Sequence, residues 1–334
     1  MRFLITGATG FLGRHLWTAL RGLGHEGIIL ARDPEKATKV LPGARIIEWN
    51  GVIGLPPEAA FDGVDVVVNL IGESVARRWN DERKRRFRDT RVLPTRALVE
   101  RMFSLTTRPR CLISIAGTAF YGDRGDEVLT ETSNGGSGFL AKLSQEWEAA
   151  ATAAESLGVR TVVLRLGAVL GRDGGILPSI VTPFRFGVGG KLGNGRQYFP
   201  WIHLSDAIGL LIHLAEAPSA SRSDAASDVN LVKGPVNGVA PEPVTNAEFT
   251  AALGRALGRP VALGVPAFAL KLALGEMAQE LLLASQRVSP VRALAAGYIF
   301  KFPLLQPALA DLLRAPPAPP GANVASTVDA DRTS

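Results

Sequence analysis

The sequence contains very little cysteine and histidine. Cys111 is the one cysteine among 334 residues, so an internal disulfide and a cysteine-based zinc site are both excluded. The four histidines form no cluster along the chain, and we expect no metal site. Cys111 is the first residue of the apolar run Cys111–Ile115. A cysteine with a free thiol in such a run typically packs as a small apolar residue of a buried strand.

Long apolar runs are also absent. No stretch approaches the roughly 20 apolar residues that a membrane span requires. Glycines and Arg14 interrupt the apolar N-terminal segment, and no small-residue cleavage site follows it. With 46% apolar and 20% charged residues, the composition is that of an ordinary globular protein. We therefore predict a cytoplasmic protein without membrane contact.

The positive charge is concentrated in one segment. The net charge is +6, and residues 77–91 hold eight basic and three acidic side chains. Such a cluster can bind nucleic acid, form a solvated helix face, or face the phosphates of a small cofactor. The charges would surround all faces of a helix, which argues against a dedicated nucleic-acid surface. We expect no nucleic-acid partner.

Strand-like and helix-like segments alternate along most of the chain. A helical pattern covers residues 13–23, and apolar runs typical of buried strands occur at residues 2–6, 27–30, 44–49, 64–70, 111–115 and 161–165. Alternation of this kind predicts a doubly wound parallel sheet covered by helices, a Rossmann-type α/β fold.

The pattern changes after about residue 240. Thr245 and Glu248 have the spacing of a capping box, which predicts a helix over 246–257, and residues 265–285 read as a second amphipathic helix. We therefore predict a Rossmann domain of residues 1–240 and a small, mainly helical C-terminal domain of residues 241–313. Residues 314–334 have little apolar content and are predicted to be a disordered tail.

The strongest local motif directly follows the first predicted strand. Gly7, Gly10 and Gly13 have the spacing of a dinucleotide-binding turn, in which glycines permit a tight turn, close approach of a pyrophosphate and close packing of the helix. The N-terminus of the following helix offers free N–H groups to phosphates. The predicted cofactor contacts from this turn are Gly7, Thr9, Gly10, Phe11, Leu12 and Gly13.

The end of the second strand indicates which dinucleotide binds. Sheets that bind NAD carry an acid there, whereas an arginine accommodates the 2′-phosphate of NADP. Here Ala31 occupies the expected position of the acid, Arg32 follows it, and Asp33 precedes Pro34 as a predicted helix cap. This favours NADP(H) over NAD(H). The fourth strand ends in Leu70, Ile71 and Gly72, predicted to pass beside the cofactor, and Glu73 either faces the cleft or caps the next segment.

Several longer strings resemble one family. The glycine turn, residues 69–72 and residues 121–123 are similar to the extended short-chain dehydrogenase/reductases. Residues 121–127, 189–197, 201–206, 243–249 and 274–277 resemble the "epimerase family protein" branch of that group. The resemblance covers about residues 1–313. It implies an NADP(H)-binding, oxidoreductase-like protein with substrate-cleft segments at about 171–206, and it names no substrate.

The catalytic pair of the wider superfamily is missing from the matching helix. Those enzymes use a tyrosine as general acid/base, with a lysine four residues later that lowers the tyrosine pKa. In one register Gly138 replaces the tyrosine and Lys142 is the lysine; in the other, Phe139 and Leu143 occupy the two positions. Gly117 occupies the usual serine position, with Thr118 and Ser114 nearby.

Other side chains remain as candidates. Tyr121, Lys142 and His203 are candidate catalytic groups, although Tyr121 and His203 also fit purely structural roles. Asn194, Arg196 and Gln197 lie in a glycine-rich loop and are, with His203, candidate substrate contacts. Arg91 matches a superfamily position that faces the cofactor cleft, and Asp206 is predicted to cap a helix.

The sequence is consistent with two functions. The first is an NADP-dependent oxidoreductase or epimerase acting on a small or nucleotide-linked substrate, in which the cofactor carries the hydride. The alternative is a noncatalytic NADP(H)-binding sensor or regulator, consistent with the missing tyrosine. The sequence leaves the substrate, the catalytic residues and the oligomeric state open.

Overall fold

The computed structural model describes residues 1–217 and 232–314, so the predicted tail lies, apart from Arg314, outside the described residues. The strands in chain order are β1 Arg2–Thr6, β2 Glu26–Ala31, β3 Arg45–Glu48, β4 Val66–Asn69, β5 Cys111–Gly117, β6 Val128–Leu129, β7 Arg160–Leu166, β8 Ala168–Leu170, β9 Gly190–Leu192, β10 Tyr198–Phe199, β11 Trp201–His203, β12 Gly234–Gly238, β13 Val244–Thr245, β14 Ala262–Val265 and β15 Arg287–Val288. The α-helices are α1 Phe11–Gly22, α2 Pro34–Val40, α3 Asp81–Ser104, α4 Phe139–Thr152, α5 Leu177–Arg185, α6 Leu204–Glu216, α7 Asn246–Leu257, α8 Ala267–Leu274, α9 Val291–Ala295 and α10 Leu305–Leu313.

A seven-stranded parallel sheet forms the centre of the molecule. Its strand order is β12-β7-β5-β4-β1-β2-β3, and every neighbouring pair is parallel. The predicted Rossmann-type doubly wound fold is thereby confirmed. The strand order reverses between β1 and β4, and in such sheets ligands bind at the carboxyl ends of the strands beside this reversal.

Alternating side chains of the strands build a core on each face of the sheet. Phe3 and Ile5 of β1 pack in one cluster with Leu16 and Leu20 of α1. Leu4, between them, points to the other face and packs in a cluster with Leu98 and Met102 of α3. Both faces are apolar because both are covered, which is why the strands read as continuous apolar runs.

A further core joins the middle of the chain to its C-terminal part. Phe184 of α5 and Trp201 of β11 pack in one cluster with Phe249 of α7 and Leu309 of α10. Short strand pairs reinforce this union: β10 pairs with β13, and β9 pairs with β14. The segment at 171–206 therefore packs with residues beyond 240, at the carboxyl end of the sheet.

One predicted helix is wrong and another is confirmed. The capping box of Thr245 and Glu248 is present, and α7 begins and ends as predicted. Residues 265–285 do not form a single helix, because the chain turns at Gly275, whose φ of +65° is unfavourable for residues with a side chain. This segment instead forms α8 and a π-helical turn at Ala278–Leu282. Among residues 1–217 and 232–314, no helix combines the length and the apolar character needed to cross a bilayer.

Candidate functional site

The glycine turn between β1 and α1 has no room for side chains. Gly7 has a φ of +68°, and a Cβ atom there would lie 2.7 Å from the carbonyl carbon of Leu70 at the end of β4. A Cβ on Gly13 would lie 2.4 Å from Cα of Ala8, because α1 packs directly on the turn. These contacts are the close approaches that the motif predicts.

The first turn of α1 has no side-chain cap. Gly10 is the N-cap residue and provides no side chain, and the first turn contains no acidic residue. Thr9 and Gly10 are exposed beside it. Phe11 packs against the glycine loop that follows β8, since Cβ atoms on Gly171 and Gly174 would lie 2.4 and 2.3 Å from its ring. The positive end of this helix dipole is therefore available to an anion such as a pyrophosphate.

A buried polar network holds β1 and β4 together at the strand-order reversal. The Thr6 hydroxyl donates to Oδ1 of Asn69 at 2.7 Å, and Nδ2 of Asn69 donates to Thr95 and Ser114 at 2.8 and 3.2 Å. Trp147 Nε1 donates to the same Thr95 hydroxyl at 2.9 Å. All five side chains are buried. Such satisfied networks give the cleft floor a single geometry.

Arg32 lies at the carboxyl end of β2. Ala31 before it is buried, whereas Arg32 is exposed, and no carboxylate among the described residues pairs with it. Asp33 does not turn toward the strand end, because its carboxylate accepts a hydrogen bond from Lys36 N at 2.9 Å as the cap of α2. The predicted cap is confirmed, and the strand end presents an exposed cation at the position that follows the expected acid.

Arg91 packs against the end of β4. Its guanidinium donates to the backbone oxygens of Phe87 and Glu73 at 3.0 and 2.5 Å, and a Cβ on Gly72 would lie 3.3 Å from its Cζ. Burial lowers the pKa of Arg91 to about 10, so it remains a cation at neutral pH. The Glu73 carboxylate pairs with Arg86 at 2.6 Å, which is neither of its two predicted roles.

Three of the eight basic residues at 77–91, Lys84, Arg86 and Arg88, are paired with acids. On α3, Arg88 binds Glu146 of α4 through two of its nitrogens, and Lys84 binds Glu276. These contacts connect α3 to α4 and to the C-terminal part. The absence of a nucleic-acid partner stays a prediction.

A cavity of about 430 Å³, the central cavity, opens at the carboxyl ends of β4, β5 and β7. Residues 70–72, 115–118 and 166–168 form its floor, and α4 forms one wall. The opposite wall comes from residues 197–200, Asn246 and residues 280–286. Four of the predicted cofactor contacts, Leu70, Ile71, Gly72 and Arg91, therefore line it.

The face of α4 that lines the central cavity carries neither tyrosine nor lysine. Leu140, Leu143, Ser144 and Trp147 line the cavity from this helix. Leu140 and Ser144, and likewise Leu143 and Trp147, have the four-residue spacing of the missing pair. Of the residues in the two predicted registers, Leu143 lines the cavity, whereas Gly138, Phe139 and Lys142 do not. The register was ambiguous because the sequence alone does not orient a helix whose marker residues are absent.

The C-terminal part caps α4 with a carboxylate. Glu280 Oε1 accepts from the amide of Phe139 at 2.8 Å, and Oε2 accepts from Leu140 at 2.7 Å. Gly138, the N-cap residue, has no side chain to do this, and a Cβ there would lie 2.9 Å from Glu280. The carboxylate is stabilised by the helix dipole, and it holds the π-helical turn over the central cavity.

The predicted substrate-loop residues divide between two places. Gln197 lines the central cavity, but its amide nitrogen already donates to the carbonyls of Leu192 and Leu282 at 3.0 and 3.1 Å. Asn194 and Arg196 line a separate open groove that Gln197 borders from the other side. Asn194 Oδ1 accepts from Arg196 N at 2.9 Å, a local turn contact.

Tyr121 and Lys142 do not line the central cavity. The Tyr121 side chain is fully buried, and its hydroxyl contacts Asn237 Oδ1 at 2.7 Å and the Thr130 carbonyl at 3.0 Å. Burial raises the pKa of Tyr121, which disfavours a phenolate. Lys142 is exposed on α4. The geometry therefore supports the structural role for Tyr121 and gives Lys142 no contact with the cavity.

His203 does not face the cleft. It is buried, stacks on Phe302 with ring centroids 3.9 Å apart, and lies 3.3 Å from the Asp311 carboxylate. Its Nδ1 accepts from Ser205 N, so His203 caps α6. His203 therefore has the structural role of its two predicted alternatives, because α10 covers the end of β11.

The prediction that Asp206 caps α6 is wrong. Its carboxylate accepts from the backbone amides of Lys301 and Phe302 at 2.7 and 2.9 Å, and it is 1% exposed. Asp206 therefore anchors the C-terminal chain to the Rossmann core. Within the described ranges no cluster of histidine, cysteine or acidic residues could hold a metal ion.

Several cavity residues were missed by sequence reasoning. Thr118 was noted only as a neighbour of the serine position, and no role was predicted for Ser144, Tyr198, Asn246, Glu280 or Gln286, all of which line the central cavity. Asn246 lies in a string that carried the family resemblance, which was a usable signal. Glu280 and Gln286 reach the cavity only through long-range packing, which no local pattern shows.

Comparison with known proteins connects this site to a family. Residues 3–231 match the model of the NAD dependent epimerase/dehydratase family, and residues 265–312 match a domain of unknown function, DUF1731. "Epimerase family protein SDR39U1" of Mus musculus is 39% identical over 318 residues, which is 94% of this chain and 100% of that protein. "Epimerase family protein YfhF" of Bacillus subtilis is 33% identical over 94% of this chain and 98% of its own length.

Solved structures show the same fold. The crystal structure of human epimerase family protein SDR39U1 (isoform2) with NADPH is 35% identical, has a TM-score of 0.78, and covers 93% of this chain and 99% of that one. UDP-glucose 4-epimerase from Thermotoga maritima has a TM-score of 0.71 at 15% identity, over 93% and 97% of the two chains, and shows the fold alone. The predicted resemblance is confirmed: the chain belongs to the NAD dependent epimerase/dehydratase family, in its "epimerase family protein" branch.

Proposed function

We propose that this protein is an NADP(H)-dependent oxidoreductase whose substrate binds in the central cavity. The observation that carries the proposal is the turn from Gly7 to Gly13, which packs closely on the end of β4 and opens helix α1 without a side-chain cap. The predicted contacts Gly7, Thr9, Gly10, Phe11, Leu12 and Gly13 would hold the pyrophosphate there.

Arg32 supports NADP(H) rather than NAD(H). It is exposed at the end of β2, where Ala31 stands in place of the acid that NAD-binding sheets carry, and Asp33 caps α2. The relative of known structure, human SDR39U1, was crystallised with NADPH. Leu70, Ile71, Gly72 and Arg91 would border the remaining part of the cofactor.

The cofactor, when bound, supplies hydride transfer. The protein's own contribution is to hold a substrate oxygen, exclude water and supply hydrogen bonds. Thr118 offers a hydroxyl on the floor of the cavity and Ser144 offers one on the α4 wall. Tyr198, which carries a phenol, belongs to the opposite wall. The segment at 171–206 and the small domain at 241–313, which we propose as the substrate-binding part, complete the enclosure.

The proposal is tested first by binding. Titration of the full chain with NADPH and with NADH, followed by cofactor fluorescence, should show tighter binding of NADPH. Equal or absent binding would contradict the NADP(H) assignment. Loss of NADPH absorbance with a panel of carbonyl compounds then tests turnover. Tight binding without turnover across a broad panel would favour the noncatalytic sensor.

A further inference from the structure

The charged groups of the central cavity are already engaged within the protein. Arg91 and Glu280 are the charged side chains that line it within residues 1–217 and 232–314. The Arg91 guanidinium donates to two backbone oxygens, and both Glu280 oxygens accept backbone amides of α4. The cavity therefore presents one positive and one negative charge, each held by the fold.

A nucleotide-linked sugar does not fit this charge pattern. Its diphosphate carries two negative charges, and burying them requires cations with free hydrogen-bond donors. The cavity offers only Arg91, and the Glu280 carboxylate on the opposite wall would repel the diphosphate. The adjoining groove contains Arg196 and Lys271 but also Asp123 and Asp126, so it is of mixed charge.

The walls of the cavity are instead mainly apolar. Leu140 and Leu143 of α4 face Leu281, Leu282 and Phe199 across it. An apolar molecule transferred from water into such a site gains roughly 25 cal/mol for each Å² of apolar surface that it buries. The shape and lining therefore favour a compact, largely apolar compound.

Three polar residues of the cavity lining form no side-chain hydrogen bond with any residue in 1–217 or 232–314. Thr118, Ser144 and Gln286 are 5%, 6% and 7% exposed and line the cavity. In the described part of the chain, the side-chain oxygens and nitrogens of these residues form no hydrogen bond, and they are not among the polar atoms fully enclosed by the protein, so they can reach a molecule in the cavity. Two lie beside the carboxyl ends of the strands, and Gln286 lies on the opposite wall. They are free to bind an uncharged oxygen.

We propose that the central cavity takes a small, uncharged, largely apolar carbonyl compound or the corresponding alcohol, and not a nucleotide-linked sugar. Its oxygen accepts hydrogen bonds from Thr118 and Ser144, its apolar body contacts the leucines, and Gln286 binds a polar group at its far end. In the reduction, hydride from NADPH adds to the carbonyl carbon, the carbonyl π electrons move to oxygen, and a solvent proton completes the hydroxyl, leaving NADP⁺. This assignment rests on the proposed NADP(H)-dependent function.

The test uses the full chain saturated with NADP⁺. Calorimetric titrations with cyclohexanol, benzyl alcohol, UDP and UDP-glucose should give saturable binding for at least one alcohol and none for the two nucleotides. Turnover with NADPH and the matching ketone or aldehyde should follow the same preference. Binding of UDP or UDP-glucose, or binding of no alcohol, would overturn the proposal. Failure of NADPH itself to bind, measured beforehand, would instead reject the proposed function.

Ser144→Ala separates a substrate contact from a structural role. Loss of one hydrogen bond to the substrate should weaken alcohol binding by about fivefold, since a net hydrogen bond contributes about 1 kcal/mol. Because the hydroxyl has no described partner, the urea midpoint and NADPH affinity should stay unchanged. Ala141→Ser, on the same helix outside the cavity lining, is the matched control for hydroxyl content. Unchanged alcohol binding in both Ser144→Ala and Thr118→Val would contradict the assignment.

Discussion

Glu280 accepts a hydrogen bond from the backbone amide of Leu140 at 2.7 Å, across 140 residues of sequence. Its other oxygen binds the neighbouring amide of Phe139. One carboxylate from the C-terminal part thus replaces the missing N-cap of α4 and closes a wall of the central cavity. The C-terminal part, which the sequence pattern sets apart from the Rossmann fold, is therefore a structural component of the site.

Glu280→Gln should reduce the stability of the protein. The substitution keeps the size of the side chain but removes the charge that strengthens two hydrogen bonds at a helix N-terminus. We expect the free energy of unfolding to fall by about 1–3 kcal/mol, measured by urea denaturation. Glu276→Gln is the matched control, because its ion pair with Lys84 is partly exposed and contributes at most about 1 kcal/mol. Equal losses in the two variants would contradict the capping role.

Arg32→Ala should discriminate between the two cofactors. Removal of a charge-assisted contact to the 2′-phosphate should weaken NADPH binding by about ten- to a hundredfold and leave NADH binding unchanged. Fluorescence titration with each cofactor measures this. Arg185→Ala, another exposed arginine on α5, controls for the loss of one positive charge. A parallel loss of NADPH and NADH affinity in Arg32→Ala would show that Arg32 does not recognise the 2′-phosphate.

Tyr121→Phe should destabilise the protein without changing cofactor binding. The change removes a buried hydroxyl that contacts Asn237 Oδ1 and accepts a hydrogen bond from Arg165 at 2.9 Å, so both of these groups lose a partner. We expect a loss of about 1–3 kcal/mol in the free energy of unfolding and unchanged NADPH affinity. In Tyr198→Phe, whose hydroxyl has no hydrogen-bond partner in the described part of the chain, the change in stability should be within about 0.5 kcal/mol. Full stability of Tyr121→Phe would contradict its structural role.

His203 should make the protein less stable in mild acid. Burial lowers the pKa of His203 below its ordinary value of 6.5, while the nearby Asp311 and Asp206 oppose this effect and Lys301 reinforces it. The unfolded chain therefore binds a proton at a pH where the folded chain does not, so unfolding becomes easier as the pH falls below about 6.5. The slope for this one group is at most about 1.4 kcal/mol per pH unit.

Urea denaturation at a series of pH values from neutral to mildly acidic checks this dependence. His203→Gln should flatten the slope. Asp311→Asn should steepen it, because it removes a charge that favours the imidazolium. A wild-type stability that rises on mild acidification, combined with no change of slope in His203→Gln, would reject the assignment.

The Rossmann sheet could be predicted because its signals are local. Continuous apolar strands, the glycines at 7, 10 and 13, and the capping box at Thr245 each act within a few residues, and each appears where predicted. Asp33 likewise caps α2 through an amide three residues away. The division of the chain into three parts and the roles of the site residues stay predictions.

The errors concern side chains whose partners are distant in sequence. His203 was predicted as a candidate cleft residue, but α10 covers it and places Asp311 beside it. Asp206 was predicted to cap a helix, but its carboxylate binds the amides of Lys301 and Phe302. The prediction of a continuous helix over 265–285 was wrong because the chain turns at Gly275. The apolar periodicity of the segment gave no sign of this turn.

By itself, the sequence determined the parallel sheet, the glycine turn between β1 and α1 and the basic residue at the end of β2, since these depend on backbone conformation and on neighbours along the chain. Tertiary structure decided which face of α4 lines the central cavity and which polar groups there lack partners. Leu140, Ser144 and Gln286 meet at one site only because Glu280 holds a distant segment against α4, and such contacts arise from packing rather than from spacing.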